Sequence, residues 1–196
     1  MKLCKISHYF IFLILLSVGC ERETTVPHDS WGYFSVNVNG RRWEKTFKNA
    51  YQAVRGAAQD FGDTTCKRVY LYSLLFDSEG VLEEYLYLSD IPTKTGRYRI
   101  MSDRDVPCSD STIATSTFTA FIDFDIFRDR YEVLESADNY LQIDQYQESG
   151  NREIKGRFQV TFVLRSPRFY NSYEDTLKFT NGKFHTKILP RKNRHL

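Results

Sequence analysis

Apolar and polar residues alternate with a period of two through much of this chain, the pattern of strands that bury one face. The clearest runs are Tyr33–Val38, Arg68–Phe76, Val81–Ser89 and Ile154–Leu164. Shorter runs predict further strands at residues 50–54, 96–100, 118–127, 131–134, 141–146, 177–180 and 183–188. About ten strands without helical periodicity predict an all-β fold, either a single antiparallel β-sandwich or a lipocalin-like barrel. The pattern does not separate these two architectures.

Two Asn-Gly pairs mark sharp changes in chain direction or twist. Asn39-Gly40 is a strong hairpin signal, because both central residues of a type I′ turn need positive φ. A two-residue loop there pairs Val36 with Trp43. The second pair, Asn181-Gly182, fits either a hairpin or one bulged strand over residues 177–188, because the apolar phase shifts by one residue there.

The strands on either side of the turn at residues 77–80 have two distinct faces. Pairing Phe76 with Val81 brings apolar residues together on a core face, as Val69–Leu88, Leu71–Leu86 and Leu75–Leu82. The opposite face then carries Tyr70–Tyr87 and Tyr72–Tyr85, a ladder of tyrosines with Arg68 nearby. This ladder is either a binding face (the lumen, if the fold is a barrel) or a second packed face covered by loops such as residues 166–175.

The N-terminus has the layout of a secretory leader. Two lysines precede the apolar run Tyr9–Val18, which is too short for a spanning helix. Leu16-Ser17-Val18-Gly19-Cys20 resembles the lipobox of bacterial lipoproteins, although Ser17 stands where that motif usually has Leu. The resemblance implies removal of residues 1–19 and acylation of Cys20. An ordinary signal peptide or a short anchor with a chance cysteine is the alternative.

The leader sets the expected organisation of the remaining chain. Residues 20–30 are polar and aperiodic, which predicts a flexible tether. The acidic residues after Cys20 resemble export tags of Bacteroidota surface lipoproteins, which implies the outer membrane, on its periplasmic side or at the cell surface. Residues 31–190 form the predicted β domain, and the basic residues 191–196 a frayed tail.

Short motifs in the predicted domain resemble uncharacterised Bacteroidota lipoprotein domains. Those domains open with a Val-Asn-Gly turn and a Trp, here Val38-Asn39-Gly40 and Trp43. They end with Gly-x-Phe and Asn-Gly-x-Phe strands, here Gly156-Arg157-Phe158 and Asn181-Gly182-Lys183-Phe184. The resemblance covers most of residues 31–188. It implies a fold and a location in the cell envelope, but no specific function.

Charge and cysteine content narrow the partners and the compartment. Two of the 27 basic residues lie in the leader, so the remaining chain balances its 25 acidic residues. This balance argues against a nucleic-acid partner. With Cys4 in the leader and Cys20 acylated, Cys66 and Cys108 remain in an oxidising compartment. They form either a disulfide or a pair of buried free thiols.

Motifs for catalysis or metal binding are weak. The sequence has no Gly-x-Ser-x-Gly elbow, no glycine-rich phosphate loop and no His-Glu-x-x-His, and it predicts no cofactor. Asp123-x-Asp125 followed by Asp129 distantly suggests calcium ligands, but Phe127 stands where an oxygen ligand is needed, so no metal site is predicted. Acidic pairs such as Glu83-Glu84, or Asp144 with Glu132, could serve glycosidase chemistry, but any acidic β-domain of this size offers such pairs.

The sequence therefore favours a lipid-anchored, non-enzymatic binding or interaction domain of the cell envelope. The tyrosine ladder is its candidate contact surface, for a glycan or a protein ligand. Two alternatives are a small-molecule carrier, which needs a cavity inside a closed barrel, and an accessory enzyme of envelope glycan hydrolysis.

Overall fold

The computed structural model describes residues 30–43, 50–59, 66–123, 126–165 and 174–189. All regular structure in these residues is β, which confirms the predicted all-β class. The eleven strands are β1 Tyr33–Val38, β2 Arg41–Trp43, β3 Ala50–Gln59, β4 Arg68–Asp77, β5 Leu82–Pro92, β6 Gly96–Ser102, β7 Ile113–Asp123, β8 Ile126–Val133, β9 Tyr140–Tyr146, β10 Glu153–Leu164 and β11 Thr176–Leu189.

Eight of these strands close into a barrel in the order β11-β3-β4-β5-β7-β6-β9-β10, with β10 paired to β11. The remaining strands are the β1–β2 hairpin, which extends from β11, and β8, which lies between β7 and β10. The expectation of a purely antiparallel sheet is wrong at two places, since β6–β7 and β11–β3 are parallel pairs.

The long strands hold the barrel together by pairing with two partners in succession along one edge. β7 pairs first with β6 and then with β8, and β10 pairs with β9 and then with β8. β11 pairs with β1 over residues 179–185 and with β3 at Ile188 and Leu189. One face of every barrel strand thereby turns toward a common interior.

The barrel closes where β3 carries its smallest residues. Gly56 pairs with Ile188 and Ala57 with Leu189. A Cβ on Gly56 would lie 2.7 Å from Leu71 Cδ2 and 2.8 Å from Ile188 Cδ1, so only glycine allows this approach. β3 therefore extends to Gln59, beyond the strand predicted at residues 50–54, because the small residues that weaken the strand signal are the ones that closure requires.

The two Asn-Gly pairs have different outcomes. The predicted hairpin is confirmed: Val36 pairs with Trp43, and Asn39 and Gly40 have φ of 48° and 80°. At Asn181 (φ 56°) the chain instead continues as the single strand β11, and a bulge shifts its register with both neighbours. Of the two structures that the sequence allows there, the bulged strand is the one formed.

Large side chains fill the barrel interior. The fully buried phenylalanines form one cluster with leucines and isoleucines from every side of the barrel; they are Phe34, Phe118, Phe158, Phe162, Phe179 and Phe184. Within it, the Phe118 and Phe179 rings lie 5.2 Å apart, as do those of Phe162 and Phe179. At native packing density this cluster is a solid core.

Several expectations fall on residues that the structure does not describe. These are the predicted leader, the predicted acylation of Cys20, most of the predicted tether, the predicted basic tail and most of the predicted loop 166–175. Among the residues described, no helix is long and apolar enough to cross a membrane.

Candidate functional site

The four tyrosines of the predicted ladder lie together on the outer face of β4 and β5. Their strand neighbours Leu71, Leu86 and Leu88 are fully buried in the interior, so Tyr70, Tyr72, Tyr85 and Tyr87 point the other way. Each of the four side chains is half-buried. The idea that the tyrosines would line the lumen of a barrel is therefore wrong, because the leucines occupy that side.

The four rings form one connected group, the tyrosine cluster. Ring centroids lie 6.3 Å apart for Tyr70–Tyr72, 5.8 Å for Tyr70–Tyr87, 6.0 Å for Tyr72–Tyr85 and 5.7 Å for Tyr85–Tyr87. These separations fall in the favourable range for aromatic pairs. Each ring lies beside two others, so the cluster is a continuous aromatic patch that carries hydroxyl groups.

The pairing within the β4–β5 hairpin differs from the predicted register. Phe76 pairs with Leu82 and Tyr72 with Tyr87. The turn holds one more residue than expected, because Asp77 Oδ1 accepts hydrogen bonds from the amides of Glu79 and Val81, both at 2.8 Å. The predicted pairs Val69–Leu88, Leu71–Leu86, Leu75–Leu82, Tyr70–Tyr87 and Tyr72–Tyr85 are therefore wrong. The longer turn displaces the register by one residue, and irregularities between Leu75 and Phe76 and between Val69 and Leu71 displace it further.

Burial raises the pKa of two phenols of the cluster, Tyr85 and Tyr87. Desolvation, with the neighbouring Tyr87, Tyr72 and Tyr70 adding to it, raises the pKa of Tyr85 far above its ordinary value. Desolvation and the proximity of Tyr70 and acidic groups raise the pKa of Tyr87 to about 12. Both phenols are neutral near pH 7, so the cluster offers uncharged groups that donate and accept hydrogen bonds.

Polar side chains border the tyrosine cluster along the sheet. Thr117 and Thr119 lie opposite Tyr87 and Tyr85 on β7. Beyond them, Glu132 on β8 forms an ion pair with Arg165 at 3.7 Å. The centre of this outer face is therefore aromatic. Hydroxyl groups and an ion pair lie on one side of it, and Arg55 lies opposite Tyr72 on β3 on the other side.

At the end of the same face, the patch becomes fully apolar. Tyr51 and Phe76 stack with ring centroids 4.7 Å apart, and Leu74 and Leu82 pack against them. Leu74 pairs with Tyr85 in the sheet, which makes this apolar group continuous with the tyrosine cluster.

A disulfide joins Cys66 to Cys108, with α-carbons 5.6 Å apart, and lies beside a cavity of about 230 Å³. The cavity is lined by the disulfide together with Lys67, Arg68, Pro92, Thr93, Lys94 and Ser111. The ammonium group of Lys67 forms an ion pair with Glu148 at 2.6 Å, so this cation already has a partner.

Beneath the cavity lies a buried polar network that the sequence pattern did not reveal. Arg68, 4% exposed, donates to the carbonyl oxygens of Asp90 at 3.0 Å and Pro107 at 2.8 Å. The Asp90 carboxylate accepts from Gln59 at 3.1 Å and from Thr115 at 2.8 Å. These bonds fasten the loop after β6 to the barrel, so we assign the network a structural role. Nothing in the sequence around Arg68, a single arginine before an apolar run, predicted this network.

The acidic pairs that the sequence offered for hydrolysis are not brought together as pairs. Glu84 is buried and Glu83 half-buried, because successive residues of β5 point to opposite faces. Asp144 binds Arg157 through two hydrogen bonds of 3.1 Å, and Glu132 lies beside Arg165. No group of three His, Cys, Asp or Glu side chains within the described ranges is arranged to hold a metal ion.

Two carboxylates, those of Glu84 and Asp129, lie inside the barrel, and the sequence pattern did not predict this pair. Glu84 accepts a hydrogen bond from the indole Nε1 of Trp43. Asp129 is 1% exposed, and neither of its carboxylate oxygens has a hydrogen-bond partner among the residues that the structure describes. The calcium motif that first drew attention to Asp129 would also involve Asp123 and Asp125, whose side chains lie outside the description.

No protein-family model, curated protein or solved structure matches this chain.

Proposed function

We propose that this chain is a non-enzymatic binding domain of the cell envelope whose contact surface is the tyrosine cluster. The observation that supports it is the arrangement of four half-buried tyrosine rings, with centroids 5.7–6.3 Å apart, on the outer face of the barrel. Tyrosine presents large amphipathic area and has few rotatable bonds to immobilise, which favours it in contact surfaces.

The chemistry of the cluster suits a neutral ligand with both apolar faces and hydroxyl groups. A glycan has this character, and so does an uncharged patch of a protein. Tyr85 and Tyr87 remain neutral donors at physiological pH, and Thr117 and Thr119 add hydroxyl groups at the rim. The aromatic rings carry no charge and suit a neutral ligand, and Arg55, opposite Tyr72 on β3, adds a cation at their edge.

Two alternatives receive less support from the geometry. A carrier needs an open cavity in the barrel, but Phe118, Phe162 and Phe179 pack against each other there. A glycosidase needs two carboxylates facing one another, whereas Glu83 and Glu84 point to opposite faces.

The proposed location of the protein in the cell is based on the predicted leader. We propose that Cys20 is acylated and holds the domain at the bacterial outer membrane through the tether of residues 20–30. Metabolic labelling with a palmitate analogue in a Gram-negative host, comparing the full chain with Cys20→Ala, tests this step. Label and membrane fractionation should both be lost in Cys20→Ala, and unchanged fractionation would contradict the anchor.

The binding function is tested with a glycan array and with capture of envelope proteins by the purified full chain. In the variant carrying Tyr72→Ala and Tyr85→Ala we expect at least about tenfold weaker binding, since aromatic contacts of this kind commonly contribute more than 1 kcal/mol each. Tyr33→Ala is the matched control, because Tyr33 is 48% exposed and belongs to another strand.

Folding must be measured alongside binding. The double variant should keep the β-type circular dichroism spectrum and a cooperative melt. If it unfolds, the conservative variant Tyr72→Phe, Tyr85→Phe decides, because it keeps the rings and removes only the hydroxyl groups. Binding equal to wild type in a folded double-alanine variant would overturn the proposed surface.

A further inference from the structure

Arg55 is a cation beside the tyrosine cluster that lacks a counter-charge. It pairs with Tyr72 in the β3–β4 register, and the Cβ atoms of directly opposed residues are about 5 Å apart. The Arg55 side chain is half-buried, and it has no hydrogen-bond or ion-pair partner among the residues that the structure describes. A guanidinium partly removed from water without an acceptor is unfavourable, and a carboxylate matches its planar set of donors.

A second cation lies next to Arg55 across the contact between β3 and β11. The parallel register of these strands places Lys187 beside Arg55, and Lys187 points to the outer face because both of its chain neighbours are buried. The Nζ atom of Lys187 lies 4.4 Å from the centre of the Trp31 ring. Glu153, opposite Lys187 on β10, already binds His185 at 3.0 Å. We call Arg55 and Lys187 the cationic edge.

The cationic edge and the tyrosine cluster form one row across five strands. The row runs through β11, β3, β4, β5 and β7 and contains Lys187, Arg55, Tyr72, Tyr87 and Thr117. Neighbouring strands are about 4.8 Å apart, so the cations lie within about two strand spacings of the first ring. A ligand that lies on the rings therefore reaches both cations at one end and a hydroxyl group at the other.

The two ends of this row differ in charge. Desolvation, followed by the proximity of Tyr70, Asp90 and Asp103, raises the pKa of Tyr87 to about 12, which shows that two carboxylates lie near this ring. Tyr72 instead faces Arg55. A negative group on a bound ligand is repelled at the Tyr87 side and attracted at the Tyr72 side, so the row favours one orientation.

We propose that this row binds a glycan that carries a carboxylate, such as a uronic acid; the inference rests on the proposed function of the tyrosine cluster. The carboxylate accepts hydrogen bonds from the Arg55 guanidinium with Lys187 beside it, and the sugar rings lie against Tyr72 and Tyr87. A neutral glycan would leave Arg55 without an acceptor. The acidic group is therefore the part of the ligand that sets specificity.

The test is a glycan array on which each uronate-containing oligosaccharide stands beside its carboxyl-reduced counterpart. The two members of a pair differ only in the charge and its oxygens. We expect the purified full chain to bind the acidic member at least about tenfold more tightly, because hydrogen bonds to charged groups are stronger than neutral ones. The preference should decrease as the salt concentration rises.

The variant Arg55→Gln should bind both members of each pair equally. Arg41→Gln is the matched control, since it removes the same charge from an exposed position on β2, and it should keep the wild-type preference. Without ligand, Arg55→Gln should melt close to the wild-type temperature, because Arg55 has no partner to lose in the described structure. If Arg55→Gln does not fold, Arg55→Lys decides: it keeps the charge without the planar donors, and should bind the acidic member at least about threefold more weakly.

Failure of this inference can be told apart from failure of the proposed contact surface. Equal binding of acidic and reduced glycans, lost on Tyr72→Ala with Tyr85→Ala, would overturn the carboxylate site and keep the surface. An unchanged acidic preference in Arg55→Gln would also overturn it. If no acidic glycan binds, the inference is wrong, whereas a protein captured through Tyr72 and Tyr85 would still support the surface.

Discussion

At the scale of single residues, two glycines explain the Gly-x-Phe motifs near the C-terminus. Gly156 pairs with Phe184 and Gly182 with Phe158, so each glycine lies under the phenylalanine of the neighbouring strand. A Cβ on Gly182 would lie 2.6 Å from both Phe158 Cε1 and the Phe158 carbonyl oxygen. In each motif a phenylalanine ring packs closely against the backbone of a glycine on the neighbouring strand. Both positions therefore require glycine.

This packing predicts the effect of Gly182→Ala. The added methyl group must displace Phe158 in a fully packed core, and we expect a loss of about 2–3 kcal/mol in the free energy of unfolding. Urea denaturation measures it. Lys183→Ala, at the adjacent exposed position, is the control and should stay within about 0.5 kcal/mol of wild type. Equal effects of the two substitutions would contradict the packing account.

The tyrosine cluster also predicts how stability depends on pH. The pKa of Tyr87 is raised to about 12 in the folded chain, against an ordinary value near 10. The folded state therefore holds its proton when the unfolded state has lost it, and stability falls as pH rises from about 10 to 12. The urea midpoint should decrease between pH 9 and pH 11, and less steeply in Tyr87→Phe. A parallel decrease in both proteins would show that Tyr87 does not contribute.

The residues of the cluster could be predicted from sequence, whereas the buried charges could not. Alternation places Tyr70, Tyr72, Tyr85 and Tyr87 on one face of a hairpin, and this requires only local information. Arg68 finds its surroundings in distant segments, for example the backbone carbonyl oxygens of Asp90 and Pro107. Nothing in the local pattern reports such contacts.

At the scale of elements, the β4–β5 hairpin shows why a wrong register still gave the right face. Along the middle of the hairpin the pairing is displaced by two residues from the predicted one, as in Leu71–Leu88. Side chains alternate with a period of two, so a displacement of two leaves every residue on its predicted face. A displacement of one would have turned the tyrosines inward.

The loop between β6 and β7 gives a prediction at the same scale. The disulfide closes a chain segment of 42 residues, and Arg68 binds the loop from below. Replacing Cys66 and Cys108 by alanine should cost about 4 kcal/mol, if the loss of loop entropy dominates. Hydrogen exchange should accelerate more in residues 103–112 than in β10. Unchanged exchange in the loop would indicate that Arg68 alone holds it.

At the scale of the whole molecule, local alternation predicts the class of the fold but cannot predict its closure. The strands β3 and β11 meet although about 130 residues separate them, and the small residues Gly56 and Ala57 make that contact possible. Small residues carry little strand propensity. Strand propensity therefore predicts that β3 ends before the residues that pair with β11. Without that pairing, a sandwich and a barrel are equally compatible with the sequence.

The pairing between β3 and β11 should be the part of the barrel that opens most easily. Within the described ranges, two register pairs join β11 to β3, whereas ten join β3 to β4. Gly56→Val places branched methyl groups against Leu71 and Ile188, and we expect about 2–3 kcal/mol lower stability. The added methyl groups should separate β3 from β11, which are distant in sequence. The rate of native-state hydrogen exchange should therefore increase in both residues 56–59 and residues 187–189, and less in the β4–β5 hairpin. Ala58→Ser, at an exposed neighbouring position, should leave both segments unchanged. Faster exchange confined to β3 would mean that β11 does not depend on this contact, and that the barrel is held shut elsewhere.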